Sequence, residues 1–229
     1  MDNYFILMAA GSGERMKSEL PKQFLEVQEI PILIHTFNKV KTLKKTKFII
    51  VLPHENFSKW KKYISKYVND QVKLIRGGKE RNLSVRKGIN NINDNSGYVA
   101  IHDGVRPFIN KRFVKKLFQE AEKNGNAVPF TRMVNSLRRV NDHNNHSVNR
   151  SEFVQIQTPQ IYKISDIKSC MKNLPKGHFN DEASLFDMFN IKINLVEGLT
   201  ENIKITTRGD LNFFDQYSSS LKKKSSLVG

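Results

Sequence analysis

Short apolar runs bounded by turn residues recur along the chain at Tyr4–Met8, Phe48–Leu52, Val72–Ile75, Tyr98–Ile101 and Ala127–Phe130. With scarcely a polar position inside them, they predict strands buried on both sides. Between them, Ile32–Leu43, Asn56–Val68, Arg81–Ile92 and Lys111–Asn124 place apolar residues at helical spacing, and Pro31 stands where an opening helical turn accepts it. The alternation predicts βαβ units: an α/β protein with a single Rossmann-like, mostly parallel sheet and helices on both faces. Ligands of such sheets bind beyond the carboxyl ends of the strands, so the loops that follow strands are where chemistry is expected.

After Phe130 the rhythm changes. The stretch Thr131–Gln157 alternates in character and carries the polar cluster Asp142, His143, Asn144, Asn145 and His146 at its middle. It predicts a hairpin-like arm projecting from the sheet. Helices around Ile164–Lys172 and Glu182–Phe189, a strand at Ile191–Val196 and a closing helix from about Arg208 complete the pattern. From about residue 218, Lys222, Lys223 and Lys224 among serines suggest a frayed tail. No linker composition interrupts the chain, so residues 1–229 are expected to form one domain.

Composition narrows the class. Hydrophobic residues make up 38% of the 229 positions, with 15 Phe, which suffices for a core and excludes global disorder. The single cysteine, Cys170, excludes a disulfide-stapled fold and a cysteine-based metal cluster, and it fits a reducing, cytoplasmic setting. The apolar stretch Tyr4–Ala10 lacks a basic lead and falls far short of the ~20 residues that cross a bilayer, so no membrane association is expected.

Charge adds a partner class. Lys and Arg number 38 against 22 acids, a net +16 that calls for a polyanion. Half of the excess sits between Lys39 and Lys66, where nine lysines face one acid, Glu55. Those lysines fall on the ends and outer faces of two helices around a strand, which a solvated surface explains better than a nucleic-acid stripe. A basic nucleic-acid-binding protein is retained as a distant alternative, and no nucleic-acid partner is expected.

Four clusters follow strands. Ala9-Ala10-Gly11-Ser12-Gly13-Glu14-Arg15-Met16 comes directly after the first; it lacks the third small residue of a dinucleotide fingerprint and the Gly-Lys-Ser/Thr of a P-loop. Its glycines let backbone N–H groups approach an anion, and Arg15, with Lys22 just after in Pro21-Lys22-Gln23-Phe24, can neutralise a polyphosphate. Gly77-Gly78-Lys79-Glu80-Arg81-Asn82-Leu83-Ser84 opens a helix, His102-Asp103-Gly104-Val105-Arg106-Pro107 sets a carboxylate beside a guanidinium, and Glu201-Asn202-Ile203-Lys204-Ile205-Thr206 puts a lysine beside a closing strand.

Together with Gln157-Thr158-Pro159-Gln160, these motifs resemble the 2-C-methyl-D-erythritol 4-phosphate cytidylyltransferase family, in the family's order and over nearly the whole chain, from Tyr4 to about Phe214. The resemblance implies transfer of CMP from CTP to methylerythritol phosphate with release of pyrophosphate. It makes Arg15 and Lys22 the residues that hold the CTP phosphates and stabilise the transition state. It makes Ala9, Ala10, Gly11, Gly13, Gly78, Arg81, Ser84 and Asp103 the nucleotide pocket. Asp103, Arg106, Ser136, Thr158, Lys204 and Arg150 would meet the sugar alcohol and its phosphate. Arg150 lies on the arm, which in the family crosses to the neighbouring subunit, so a homodimer is implied.

The chemistry agrees with the residue types. A phosphate monoester with a second pKa of about 6 is mostly dianionic at neutral pH and needs no general base. Bringing it to the α-phosphorus of CTP calls for cations and positioning, with Mg²⁺ or another divalent cation held mainly by substrate oxygens. Lys79 stands where an acid is common in the family and Asn180 where threonine is typical. The nearest rival is a ribitol or other pentitol 5-phosphate cytidylyltransferase; Ser136-Leu137-Arg138-Arg139-Val140 and Val148-Asn149-Arg150 favour the methylerythritol enzyme.

Overall fold

The computed structural model describes residues 2–11, 20–142, 144–174, 179 and 181–226. In chain order these form β1 (Asn3–Met8), β2 (Glu26–Val27), β3 (Ile30–Pro31), α1 (Ile32–Val40), β4 (Thr46–Leu52), α2 (Phe57–Ile64), β5 (Lys73–Arg76), α3 (Arg81–Asn90), β6 (Tyr98–Asp103) and α4 (Lys111–Asn124). There follow β7 (Asn126–Arg132), β8 (Leu137–Val140), β9 (Asn145–Val148), β10 (Val154–Ile156), β11 (Gln160–Lys163), α5 (Ile164–Lys172), α6 (Glu182–Asp187), β12 (Leu195–Glu197) and α7 (Arg208–Ser226).

The central sheet has eight strands, ordered β10-β7-β11-β6-β1-β4-β5, with β12 paired to β7. β1 runs parallel to both β4 and β6, and β4 to β5. β11 is antiparallel to β6 and β7. Its four residues, Gln160–Lys163, begin one position past the Thr158–Pro159 peptide and carry no strand-length apolar run, which is why the sequence pattern does not show it.

The two faces explain the continuous apolar runs. On β1 and β4, Phe5, Leu7, Ile50 and Leu52 pack with α1, α2 and α4, while the alternate residues Tyr4, Ile6, Ile49 and Val51 pack with α3, α5 and α6. Phe5, Ile6, Leu7 and Ile50 are fully buried, and each such side chain contributes about 1.5–3 kcal/mol relative to exposure. A third cluster joins Val27, Ile32, Val105, Phe108, Ile205 and Phe214, and it seats α7 against the end of the sheet.

The sequence-based strand at Ile191–Val196 is displaced: the ladder covers Leu195–Glu197, and just before it Asn194 donates from its backbone to Asn126 Oδ1 and from its side chain to the Asn126 carbonyl at the start of β7. Lys204 has no closing strand beside it; Ile203–Thr206 is irregular chain, stitched by the Ile205 N–H donating to the Val105 carbonyl at 2.9 Å. The closing helix, α7, runs from Arg208 to Ser226. Within the arm, β8 and β9 make a hairpin separate from the main sheet, as expected. Among the described residues no helix is long and apolar enough to cross a membrane.

Candidate active site

Because β6, β1, β4 and β5 are parallel, their carboxyl ends share one edge, and the loops there enclose a cleft of about 930 Å³. Ala9, Ala10 and Gly11 line it directly after β1. Among the described residues a Cβ added at Gly11 would meet nothing within 4 Å, which suits a backbone that a ligand approaches. Gly13 and Arg15, both candidates from the sequence, lie outside the described residues.

The chain returns at a 3-10 turn, Lys22–Phe24, whose Lys22 lines the cleft. Gln23 fixes this turn: its buried amide donates to the Ala9 carbonyl at 2.7 Å and to the Gly11 carbonyl at 3.0 Å. Phe24 fixes the other end by stacking on Trp60 at 4.0 Å with 7° between ring planes. Gln23 was not singled out by sequence reasoning, although it sits inside the Pro-Lys-Gln run; the signal was the motif, and the role needed the fold.

Gly77 and Gly78 follow β5. The Gly77 N–H donates to the Leu52 carbonyl at 2.8 Å, and a Cβ on Gly77 would lie 2.7 Å from Ala10 Cβ, so only glycine lets this loop touch the first one. Ser84, on α3, accepts from the Gly78 N–H at 2.9 Å and donates to the Glu80 carbonyl at 2.9 Å. It therefore shapes the loop as well as lining the cleft. Arg81 lines the cleft too, and its guanidinium grips Glu182 through Nη1 at 2.6 Å and Nη2 at 3.0 Å. Burial works against the Arg81 charge, but the Glu182 carboxylate outweighs it and raises the pKa above its ordinary value. Glu182 is the main residue the sequence reading missed; its signal was the run Asn180-Asp181-Glu182-Ala183-Ser184, in which Asp181 and Ser184 form the capping box of α6. Asn180 itself lies outside the described residues.

At the end of β6, Asp103 Oδ2 accepts from Arg106 Nε at 3.1 Å and lies 3.0 Å from Lys204 Nζ. Burial alone would raise its pKa, yet the positive charges of Lys204, Arg106 and Arg81 hold the carboxyl well below the usual range. Asp103 and Lys204 line the cleft. Arg106 and Thr158 stand directly behind Asp103: Arg106 Nη1 donates to the Asn202 carbonyl at 2.8 Å, and the buried Thr158 Oγ1 accepts from the Asp103 N–H at 3.0 Å.

His102 completes this layer. Its Nε2 faces the Arg106 carbonyl, which can only accept, so Nδ1, 2.9 Å from Thr158 Oγ1, is unprotonated and accepts from that hydroxyl. Nε2 then carries the imidazole hydrogen and donates to the Arg106 carbonyl at 3.3 Å. Burial pushes the His102 pKa down to about 3, so the ring is neutral and structural. Thr158 and His102 are sealed inside the protein and do not form a nucleophile and base facing the cleft. Cys170 is likewise packed in the core on α5, with its thiol pKa pushed up by burial.

Four candidates do not line the cleft: Arg106 and Thr158 stand behind Asp103, and Ser136 and Arg150 lie apart from it. Ser136 and Arg150 are exposed on the arm, where Arg150 Nη1 donates to the Val134 carbonyl. The cleft thus gathers Lys22, Lys79, Arg81 and Lys204 around open backbone, an arrangement suited to holding a polyphosphate.

Comparison with known proteins agrees with this geometry. Residues 4–219 match the family model described as IspD, 2-C-methyl-D-erythritol 4-phosphate cytidylyltransferase. The chain is 35% identical to the protein of that name from Bacteroides thetaiotaomicron, covering 92% of this chain and 97% of the relative. It is 35% identical to the one from Bacteroides fragilis, covering 90% and 94%. It also resembles the crystal structure of 4-diphosphocytidyl-2C-methyl-D-erythritol synthase from Anaerococcus prevotii, with a TM-score of 0.81, 27% identity and coverage of 95% and 98%.

Proposed function

The chain belongs to the 2-C-methyl-D-erythritol 4-phosphate cytidylyltransferase family, and from that premise we propose how its own residues carry the reaction. It transfers CMP from CTP to 2-C-methyl-D-erythritol 4-phosphate in the non-mevalonate route to isoprenoid precursors. A phosphate oxygen of the acceptor bonds to the α-phosphorus as the bond from that phosphorus to the bridging oxygen breaks. The electron pair leaves with pyrophosphate, and no proton needs to move.

Lys22 meets the CTP phosphates from its braced turn and stabilises the charge of the pentacovalent transition state, a role that Arg15 shares by its place in the motif. Gly78, Ser84 and the Ala9–Gly11 backbone hold the nucleoside. Lys204 receives the acceptor phosphate, and Asp103 and Arg106 keep that lysine aligned. Mg²⁺ fits this donor set as an ion carried by the nucleotide and neutralising its phosphates. Among the described residues no three His, Cys, Asp or Glu side chains cluster as a cage, and Asp103, which lines the cleft, is the carboxylate that would help the phosphates hold the ion.

We assign the arm to a second copy of the chain. Its exposed Val134 (79%), Val140 (74%) and Phe153 (39%) are unusual as free surface, and Arg150 lies outside its own cleft, which supports a homodimer in which Arg150 serves the partner's acceptor site.

The observation that carries the reading is the cation-lined cleft at the carboxyl edge of four parallel strands. The test is pyrophosphate release from CTP and Mg²⁺ with methylerythritol 4-phosphate or ribitol 5-phosphate as acceptor. Faster turnover of the first is expected; faster turnover of ribitol phosphate overturns the acceptor assignment.

A further inference from the structure

Lys59 belongs to the lysine-rich stretch for which the reaction, as described so far, has no use. It is the third residue of α2, exposed, and part of the cleft wall. Among the described residues it has no carboxylate partner, whereas Arg81 and Lys204, in the same wall, are held by Glu182 and Asp103. Its ammonium is not loose, because Nζ lies over the Trp60 ring, 4.9 Å from the centroid. Trp60 is itself fixed by stacking on Phe24, which ends the turn that presents Lys22. Lys22 and Lys59 are thus two cations mounted on one aromatic brace.

The faces of the sheet set their relation to the nucleotide. The loop assigned to the nucleoside, Gly78–Ser84, opens α3, which packs on one face. Phe24 and Trp60 belong to the core of the opposite face. A triphosphate that leaves the nucleoside and passes Lys22 therefore continues toward Lys59. We propose that Lys59 binds the β- and γ-phosphates of CTP and then the leaving pyrophosphate, a role that rests on assigning the cleft to CTP. The charge released by breaking the bond between the α-phosphorus and the bridging oxygen accumulates on that diphosphate, where an ammonium that meets no carboxylate among the described residues is most useful.

The contrast between ligands with and without a diphosphate tests this. Affinities of Lys59→Ala and the parent for inorganic pyrophosphate, CTP and CMP, all with Mg²⁺, are measured by calorimetry and by the emission of the chain's one tryptophan, Trp60. Pyrophosphate and CTP should bind about tenfold more weakly to the variant, the scale of one charge-assisted contact, with CMP affinity and the KM for methylerythritol phosphate unchanged. Lys59→Arg should recover most of the loss, and Lys62→Ala, which removes an exposed charge one turn away and outside the cleft, should behave as the parent. Equal losses for CMP and CTP, an unchanged pyrophosphate affinity, or the same loss in Lys62→Ala would overturn the proposal. A parent enzyme that bound these ligands but failed to use methylerythritol phosphate would sink the acceptor assignment and leave the Lys59 comparison standing.

Discussion

Arg81 and Glu182, far apart in sequence, meet in a two-point ion pair of 2.6 and 3.0 Å, with the Glu182 carboxylate wholly buried. The pair ties the loop that shapes the nucleotide pocket to α6 on the same face of the sheet. Removing one partner strands the other. Because the Arg81 side chain keeps 35% exposure, Arg81→Met should cost about 2–4 kcal/mol, somewhat under the range for a fully buried pair. The double variant Arg81→Met with Glu182→Leu should recover much of that, since two apolar side chains leave no unpaired charge. Urea denaturation of the two single variants and the double variant measures the coupling, and additive losses would mean that the pair does not act as a unit.

Lys22 gives a sharper separation of stability from rate. Its turn is held by the Gln23 amide and the Phe24 ring, neither of which needs the ammonium. Lys22→Ala should therefore melt within a few degrees of the parent while kcat falls by about 10²–10³-fold, the scale for losing one donor to a developing charge. A retained kcat would remove Lys22 from the transition state.

What was legible in the chain follows from the range over which each interaction acts. β1, β4 and β6 carry the sheet's centre and are covered on both faces, so their apolar runs stand out in any window. β10 and β11 are three and four residues long and owe their place to pairing, β10 with β7 and β11 with both β6 and β7, contacts that no local pattern records. The cations of the site were visible because they sit in motif loops after strands. Their partners were visible in part: Asp103 shares a motif with Arg106, but Glu182 answers Arg81, and Asp103 meets Lys204, only once distant segments are brought together by the sheet.

His102 makes stability depend on pH in a calculable direction. In the unfolded chain its imidazole takes up a proton near its ordinary pKa of about 6.5. In the folded protein burial delays this to about 3. Between those values the unfolded state binds more protons, so the contribution is complete above about pH 6.5 and is lost as the pH falls toward 3. From pH 7 to pH 5 the loss should be about 2 kcal/mol. His102→Gln keeps a donor for the Arg106 carbonyl and has nothing to titrate, so its stability should fall by correspondingly less over the same interval. Identical pH slopes for the two proteins would show that the ring is protonated in the folded state.

The arm makes the most demanding prediction, because it concerns two chains at once. Arg150 is exposed and its guanidinium donates to the arm's own Val134 carbonyl, while Lys22 lines the cleft of its own chain. If the arm of one copy completes the cleft of the other, a dimer of one Lys22→Ala chain and one Arg150→Ala chain has a site with both residues intact and a site with neither. Random mixing of equal amounts makes half of the dimers mixed, each with one working site of two, so about a quarter of parental activity should return from two nearly inactive variants. Were Arg150 to act within its own chain, every site would lack one residue and mixing would restore nothing. Dilution adds an independent check: activity recovered on mixing should fall away when sedimentation shows the dimer dissociating, whereas a site complete within one chain would keep its rate per chain.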